Sequence, residues 1–286
     1  MAKKLIITSD STTDLSPELI ERYNVKILPL GITLGGKTYR DGIDINPDLI
    51  YDHYNKTGEL PKTSAVNIEE CIDFFQPLVN EGYSIVHFSL SSEMSSTFNN
   101  CRLAAQEFED VYVVDTKNLS TGGGLLVISA SEMAEKGLEA KEIAEKCSEI
   151  AQRVDATFVI DNLEFLHKGG RCSAVAAFGA NLLKLKPCIA VRSGKMGVIK
   201  KYRGKYENVL LEYIRDMIGD ASDIELDHIF VTHAGCEQSI CDACIEQVKE
   251  LAPFKEIHFT RAGSTISSHC GKNTLGVLFI RKSPIE

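Results

Sequence analysis

Residues 29–41 read PLGITLGGKTYRD, and within them GITLGGKT, Gly31 to Thr38, satisfies the phosphate-binding loop pattern GxxxxGKT. How this stretch is read decides what kind of α/β protein the chain forms. A phosphate loop needs a strand running into a glycine-rich turn that opens a helix, so that backbone N–H groups and the lysine surround the phosphates. The context here differs. Ile32, Thr33 and Leu34 continue an apolar, strand-like run from Val25, and Thr38 is followed by Tyr39-Arg40-Asp41-Gly42, a turn composition. No helix begins there. Paired glycines supply the positive φ angles of a two-residue hairpin, so Gly35-Gly36 is expected to join a strand at Ile32–Leu34 to one at Lys37–Tyr39.

Outward from this hairpin, strand patterns at Lys4–Thr8, Val25–Leu34, Ser84–Leu90 and Val111–Asp115 alternate with helices starting at Pro17, Pro47, Ile68, Ser96 and Thr121. That alternation predicts a mostly parallel sheet flanked by helices. Ser16-Pro17 and Asn46-Pro47 place a capping side chain before a first-turn proline, and Asn67 with Glu70 fits a capping box. An amphipathic helix over Glu139–Val154 ends near Asp155. The boundary is set there, giving an N-terminal α/β domain over residues 1–155 and a C-terminal mixed α/β sheet domain over residues 156–286. The second half reads as a strand at Ala156–Asp161, a short helical piece, and a nearly all-apolar helix over Ala174–Leu185. Such a helix is either fully buried or lines an apolar cavity. A hairpin around Ser193-Gly194 joins Pro187–Val191 to Gly197–Lys200. Helices at Tyr206–Ile218 and Glu237–Leu251 then alternate with strands at His228–Thr232, Glu256–Thr260 and Val277–Arg281.

The totals narrow the function. A length of 286 residues suits two α/β domains. With 31 basic against 40 acidic residues, the charge of -9 opposes sequence-independent attraction to nucleic acid or to an anionic membrane. Met1 to Ile7 holds too short an apolar run for a signal peptide, and no later run reaches membrane-spanning length, so a cytoplasmic location is expected. Nine cysteines scattered through periodic segments read as reduced core residues. Cys236, Cys241 and Cys244 imitate an iron–sulfur spacing beside His233, with Cys270 further on. However, Ile240, Cys241, Cys244, Ile245, Val248 and Leu251 form one helical stripe, which makes those cysteines packing residues. No metal site is expected.

Hydroxyl-bearing residues cluster at element ends. SDSTTDL, Ser9 to Leu15, follows the first strand, where ligands gather in open α/β sheets. An aspartyl phosphatase would need Asp-x-Asp there, and Thr12 stands at the second acidic position. A Ser/Asp turn is the expectation. The alternative is an α/β hydrolase or phosphotransferase with Asp10 or a serine as nucleophile, although no GxSxG elbow occurs. Three further clusters are Thr63-Ser64, Ser91-Ser92 with Ser95-Ser96-Thr97, and Ser264-Thr265 with Ser267-Ser268-His269. The first two are read as ending at helix N-termini, where hydroxyls, backbone N–H groups and the dipole favour an anion. Two such ends facing each other would hold a carboxylate without a basic residue. His167 to Ser173, HKGGRCS, is a glycine-loosened basic loop.

Together these motifs resemble the DegV family of fatty-acid-binding proteins, which includes the FakB-like subunit of bacterial fatty acid kinase. SDSTTDL matches the family's opening motif. Thr63-Ser64 stands where the family has Thr-Ser-Gln-Pro, and SSEMSSTFNN (91–100) stands where it has a form like SSxLSGTYQS. VVD (113–115), LEFLHKGGRCS (163–173) and STISSHCGKNTLG (264–276) are similar to its VVDS, LxxLxKGGRIS and IGTHxGPGALG segments. Ala65-Val66-Asn67, Ser96 and Lys272-Asn273 depart from the pattern. The resemblance implies a two-domain fold with a long-chain fatty acid such as palmitate buried between the domains. It places the carboxyl group near Thr63 and Ser95, with Ser64 and Ser96 adjoining, His269 close by, and Arg171 near the entrance or the kinase contact. It further implies a carrier with no catalytic residue and no cofactor, whose ligand a separate kinase subunit phosphorylates with its own ATP. Membrane contact would be transient, for ligand exchange. Gly122-Gly123-Gly124 would either admit the acyl chain or pack a helix closely.

Overall fold

The hairpin expected at Gly35-Gly36 is present. Strands β3 (Gly31–Leu34) and β4 (Lys37–Arg40) run antiparallel with Leu34 opposite Lys37, and the two glycines take φ values of 56° and 76°. No helix follows, so the phosphate-loop pattern is a coincidence of composition. The structure, a computed structural model, describes residues 4–170 and 185–285. The apolar helix expected over Ala174–Leu185 therefore lies almost entirely outside the described residues.

The first half builds a four-stranded, all-parallel sheet in the order β2 (Lys26–Leu28), β1 (Lys4–Asp10), β6 (Tyr83–Ser89), β7 (Val111–Asp115). The run expected as one strand over Val25–Leu34 is split at Pro29-Leu30 between two sheets. Proline has no N–H for a ladder, and Leu30 turns its N–H to Ser11 Oγ (3.1 Å) and its carbonyl to the Asp41 N–H (2.9 Å). The chain then enters a small sheet, β4-β3-β5, whose third strand, β5 (Lys62–Ser64), pairs Thr63 with Ile32 and Ser64 with Gly31.

Helices α1 (Pro17–Arg22), α2 (Pro47–Thr57) and α3 (Ile68–Asn80) start where capping chemistry placed them. The side chains of Ser16, Asn46 and Asn67 each accept a bond from the backbone N–H three residues on, and Glu70 completes the box at Asn67. Next come α4 (Thr97–Ala105), α5 (Thr121–Glu135) and α6 (Ala140–Ile150). The last stops four residues short of the expected Val154, which already belongs to strand β8 (Val154–Ile160).

The second half forms a mixed six-stranded sheet in the order β10 (Lys195–Tyr202), β9 (Lys186–Arg192), β8, β13 (Thr274–Arg281), β11 (Ile224–Ala234), β12 (Glu256–Arg261), in which only β11 and β12 are parallel. Its helices are α7 (Glu164–Gly169), α8 (Tyr206–Ile218), α9 (Gln238–Leu251) and α10 (Ser264–Cys270). Cys241, Cys244 and Val248 are buried along α9, as the stripe predicts. Among the described residues, no cysteine joins a group of three side chains able to hold a metal. No helix of the described residues is long and apolar enough to cross a membrane.

The first half of helix α5 lies in the core between the two large sheets, and Thr121 to Ile128 are buried on every side. Leu125, Leu126, Val127 and Ile128 are all buried, in one cluster with Ile7, Phe88 and Val114 from the parallel sheet and Phe158, Phe230 and Leu278 from the mixed sheet. The triple glycine at its start packs closely: a Cβ on Gly124 would lie 3.0 Å from the Thr13 carbonyl oxygen. None of the three glycines lines the cavity described below.

One buried histidine gives the fold a measurable acid limit. His87, with no exposed surface, shares a 2.9 Å hydrogen bond with Thr8 Oγ1 and sits edge-on to Phe74 and Phe75, and its Nε2 has no partner. Burial pushes its pKa down to about 3. The unfolded chain, titrating near 6.5, takes up a proton that the folded state refuses, so stability present above that value is lost as pH falls toward the folded pKa. Between pH 7 and pH 4 the loss is about 3 kcal/mol. Denaturant melts of wild type and His87→Gln across this range should show a flatter acid slope in the variant. Parallel slopes would assign the acid sensitivity to other groups.

Candidate functional site

The parallel sheet reverses strand order between β1 and β6, and a crevice is expected where their carboxyl ends part. Asp10 fills the near end of it. One carboxylate oxygen accepts the Thr12 N–H (3.0 Å) and hydroxyl (2.6 Å), and the other accepts the Ser89 hydroxyl (3.0 Å) and Leu90 N–H (2.8 Å). Burial pushes this carboxyl up, and those bonds pull it back. With all four acceptor positions engaged inside the fold, and no place on the cavity wall, Asp10 is a structural tie between strands. The Ser/Asp-turn expectation for SDSTTDL holds.

Asp14 and Asp41 work at longer range. Asp14 accepts the Ser120 hydroxyl (2.5 Å) and the Gly263 N–H (2.8 Å), while Asp41 accepts the Ser11 hydroxyl and the N–H groups of Ser264 (2.9 Å) and Thr265 (3.2 Å). Burial drives the Asp14 carboxyl well up against those bonds. Together the two aspartates cap the N-terminus of α10 from more than 200 residues away in sequence, and so fix the helix that carries Thr265 and His269.

Beyond these ties lies a cavity of about 320 Å³, at the lower end of the range for small-molecule sites. Thr63 and Ser64 reach it from β5 and Ala65 from just beyond that strand, Met94, Ser95 and Ser96 from the turn before α4, and Thr265, Ile266, His269 and Cys270 from α10. Leu30, Leu90, Leu119, Phe158, Leu166, Met196 and Leu278 supply an apolar wall. Met196 is brought in by the β9–β10 hairpin, which docks through a 2.8 Å bond from the Ser91 hydroxyl to the Gly194 carbonyl. No lysine, arginine, aspartate or glutamate is among the lining residues described.

Thr63 Oγ1 and His269 Nε2 share a 2.9 Å hydrogen bond across 206 residues of sequence. Two glycines make this arrangement possible. A methyl group on Gly31 would overlap Ser64 Oγ on the paired strand, and a Cβ on Gly169 would lie 2.6 Å from His269 Nδ1; Gly169 ends α7, so the stretch expected as a loop from His167 is helical through Gly169. Ser95 Oγ accepts the Thr97 N–H (3.2 Å) and shares a bond with Thr97 Oγ1 (2.9 Å), while Ser96 stands at the N-cap of α4 without a capping side-chain bond. Ser120, Thr232 and Thr274 also border the cavity, but their hydroxyls bond to Asp14, to Thr121 and Thr260, and to the Cys270 carbonyl.

The expectation of two opposed helix ends needs correction. Thr63-Ser64 is strand, and the helix after it, α3, starts at Ile68 with its own capping box. α10 is closed by Asp14 and Asp41, and two N-cap residues border the cavity: Ser96 of α4, and Ser120 of α5, whose hydroxyl is already given to Asp14. Five of the expected ligand residues, Thr63, Ser64, Ser95, Ser96 and His269, line one cavity, while Arg171 lies outside the described residues. Thr265 is an addition: its hydroxyl is buried without a partner at the cavity wall. Its neighbours' hydroxyls look alike in sequence, and only the three-dimensional bonding separates it from them.

Comparison with known proteins gives a consistent picture. A family model described as "Uncharacterised protein, DegV family" matches residues 4–282. A DegV domain-containing protein of Clostridium acetobutylicum is 31% identical over 284 residues, covering 98% of this chain and 99% of its own length. Among solved structures, a fatty-acid-binding DegV family protein from Thermus thermophilus superposes with a TM-score of 0.90 at 28% identity, covering 97% of this chain and 99% of that one. A DegV lipid-binding protein from Thermotoga maritima gives 0.85 at 26% identity, covering 99% and 100%.

Proposed function

The chain belongs to the DegV family, and on that premise we propose that it binds one long-chain fatty acid, with the carboxylate at Thr63, Ser95 and His269 and the tail along the apolar wall. The observation that carries this reading is the cavity itself, apolar over most of its wall and bordered by hydroxyl and imidazole side chains, with no lysine or arginine among the described lining residues. Hydroxyls, an imidazole and the start of α4 can solvate a carboxylate as an oxyanion site does. Ser64 and Ser96 adjoin them. The solved relatives named for lipid or fatty-acid binding support the ligand class.

Energetics divide the labour. Burying about 15 methylenes is worth up to about 12 kcal/mol before association and ordering costs are subtracted. Each hydrogen bond to the carboxylate adds only about 1.5–3 kcal/mol. The tail therefore supplies affinity, and the polar end fixes which way the ligand points. In our reading the protein is a cytoplasmic carrier that catalyses nothing alone. A separate fatty acid kinase subunit, holding its own ATP, transfers a phosphoryl group to the presented carboxylate, and Arg171 serves the entrance or that contact. The division into residues 1–155 and 156–286, with the ligand between, belongs to the same proposal. It is supported by a cavity whose walls come from both halves of the chain.

A series of saturated acids tests the reading. Affinity should rise about fourfold per added methylene until the tail outgrows the cavity, and acyl phosphate should form only with protein, kinase subunit and ATP together. Affinity independent of chain length, or turnover by this protein alone, would refute it.

A further inference from the structure

Four hydroxyl side chains of α10 are buried, and they are bonded differently; Ser264 Oγ donates to the Ile45 carbonyl (3.3 Å). Ser267 Oγ donates to the Ala262 carbonyl (3.2 Å) and Ser268 Oγ to the Ser264 carbonyl (2.6 Å), so each is satisfied by the preceding turn. Thr265, only 3% exposed, has no hydrogen-bond partner for Oγ1 among the described residues. It is the second residue of the helix, so the carbonyl four residues back belongs to Arg261, at the end of β12 and outside the helix. The usual back-bond of a helical threonine is therefore denied to it. Its backbone N–H is held by Asp41, which pins the residue in place. Thr265 stands four residues before His269, on the same face of α10, and both line the cavity.

We infer that Thr265 is a further head-group ligand, whose hydroxyl donates to the carboxylate beside Thr63, Ser95 and His269; this rests on the fatty-acid reading given above. A buried hydroxyl left without a partner is unfavourable in the empty protein. A carboxylate has about four acceptor positions; Thr63 and His269, tied to each other, supply one donor between them, and Ser95 and the start of α4 supply two more, which leaves one position open. Thr265 therefore favours an acid over an ester or an alcohol of equal chain length, because only the ionised group rewards every donor at once.

Replacing the hydroxyl by a methyl group should move two readouts in opposite directions. In Thr265→Val, hexadecanoate should bind about tenfold more weakly, the loss of one bond to a charged acceptor, while methyl hexadecanoate is nearly unaffected. The delipidated variant should melt no lower than the delipidated wild type, since an unpaired buried hydroxyl has been removed. Thr265→Ser, which keeps the hydroxyl, should recover most of the affinity. Equal hexadecanoate affinity in Thr265→Val and wild type would overturn the assignment. A joint fall of affinity and lipid-free melting temperature would do so as well, by making the threonine a packing residue. If wild type binds no fatty acid at all, the underlying reading falls and this inference with it; wild-type binding with an unaffected valine variant removes the inference alone.

Discussion

Replacing Thr63 by valine is expected to weaken fatty-acid binding by about 10- to 100-fold, the span for one hydrogen bond to a charged acceptor. The upper part of that range is expected here, because the change also removes the 2.9 Å hydrogen-bond partner of His269 Nε2. Valine keeps the shape and β-branching of threonine, so β5 should retain its pairing to β3. The discriminating control is the ligand. A methyl ester of the same chain length, which carries no charge, should lose far less than the acid, so the variant's acid-to-ester preference collapses. Calorimetric titration of both ligands into delipidated wild type and variant measures this. An undiminished preference in Thr63→Val would remove Thr63 from the head-group site.

Asp41→Ala should destabilise the fold by about 3 kcal/mol, from the lost helix cap and the polar groups left buried without partners. Asp41 is 3% exposed and receives the Ser11 hydroxyl and the buried N–H groups of Ser264 and Thr265. Asp41→Asn, retaining one carbonyl oxygen, should recover about half of the loss. Since α10 carries His269 and Thr265, the alanine variant should also bind fatty acid more weakly even where it remains folded. Denaturant unfolding of the three proteins checks the first claim, and a difference under about 1 kcal/mol would show that α10 is held by packing rather than by this cap.

What the sequence disclosed was mostly local. The caps at Ser16, Asn46 and Asn67 and the turn at Gly35-Gly36 depend on residues within three or four positions of one another, and they were readable as such. Features set by distant partners were not. The break at Pro29-Leu30 follows from Ser11 and Asp41, the strand at Lys62–Ser64 exists only because β3 offers it an edge, and the start of α10 depends on two aspartates near the other end of the chain. The first glycine of the false phosphate loop, Gly31, faces Ser64 across the sheet, where a Cβ would crowd the Ser64 hydroxyl.

The candidate site divides in the same way. Each hydroxyl cluster stood out in sequence, yet nothing local distinguishes Thr63 and Ser95, which meet His269 at one cavity, from Ser120 or Thr232, whose hydroxyls are committed elsewhere. The motif resemblance supplied that selection; the bonding pattern alone does not make it, since Ser95 Oγ is itself bonded to Thr97. The same pattern isolates Thr265, which no motif singled out.

The most direct test of the carrier reading is to extract purified protein with organic solvent, identify the lipid by mass spectrometry, and weigh the intact complex under native conditions. One fatty acid per chain, displaced by added hexadecanoate and reduced in Thr63→Val, is the predicted result. A protein that is empty as purified and takes up no added fatty acid would contradict the account.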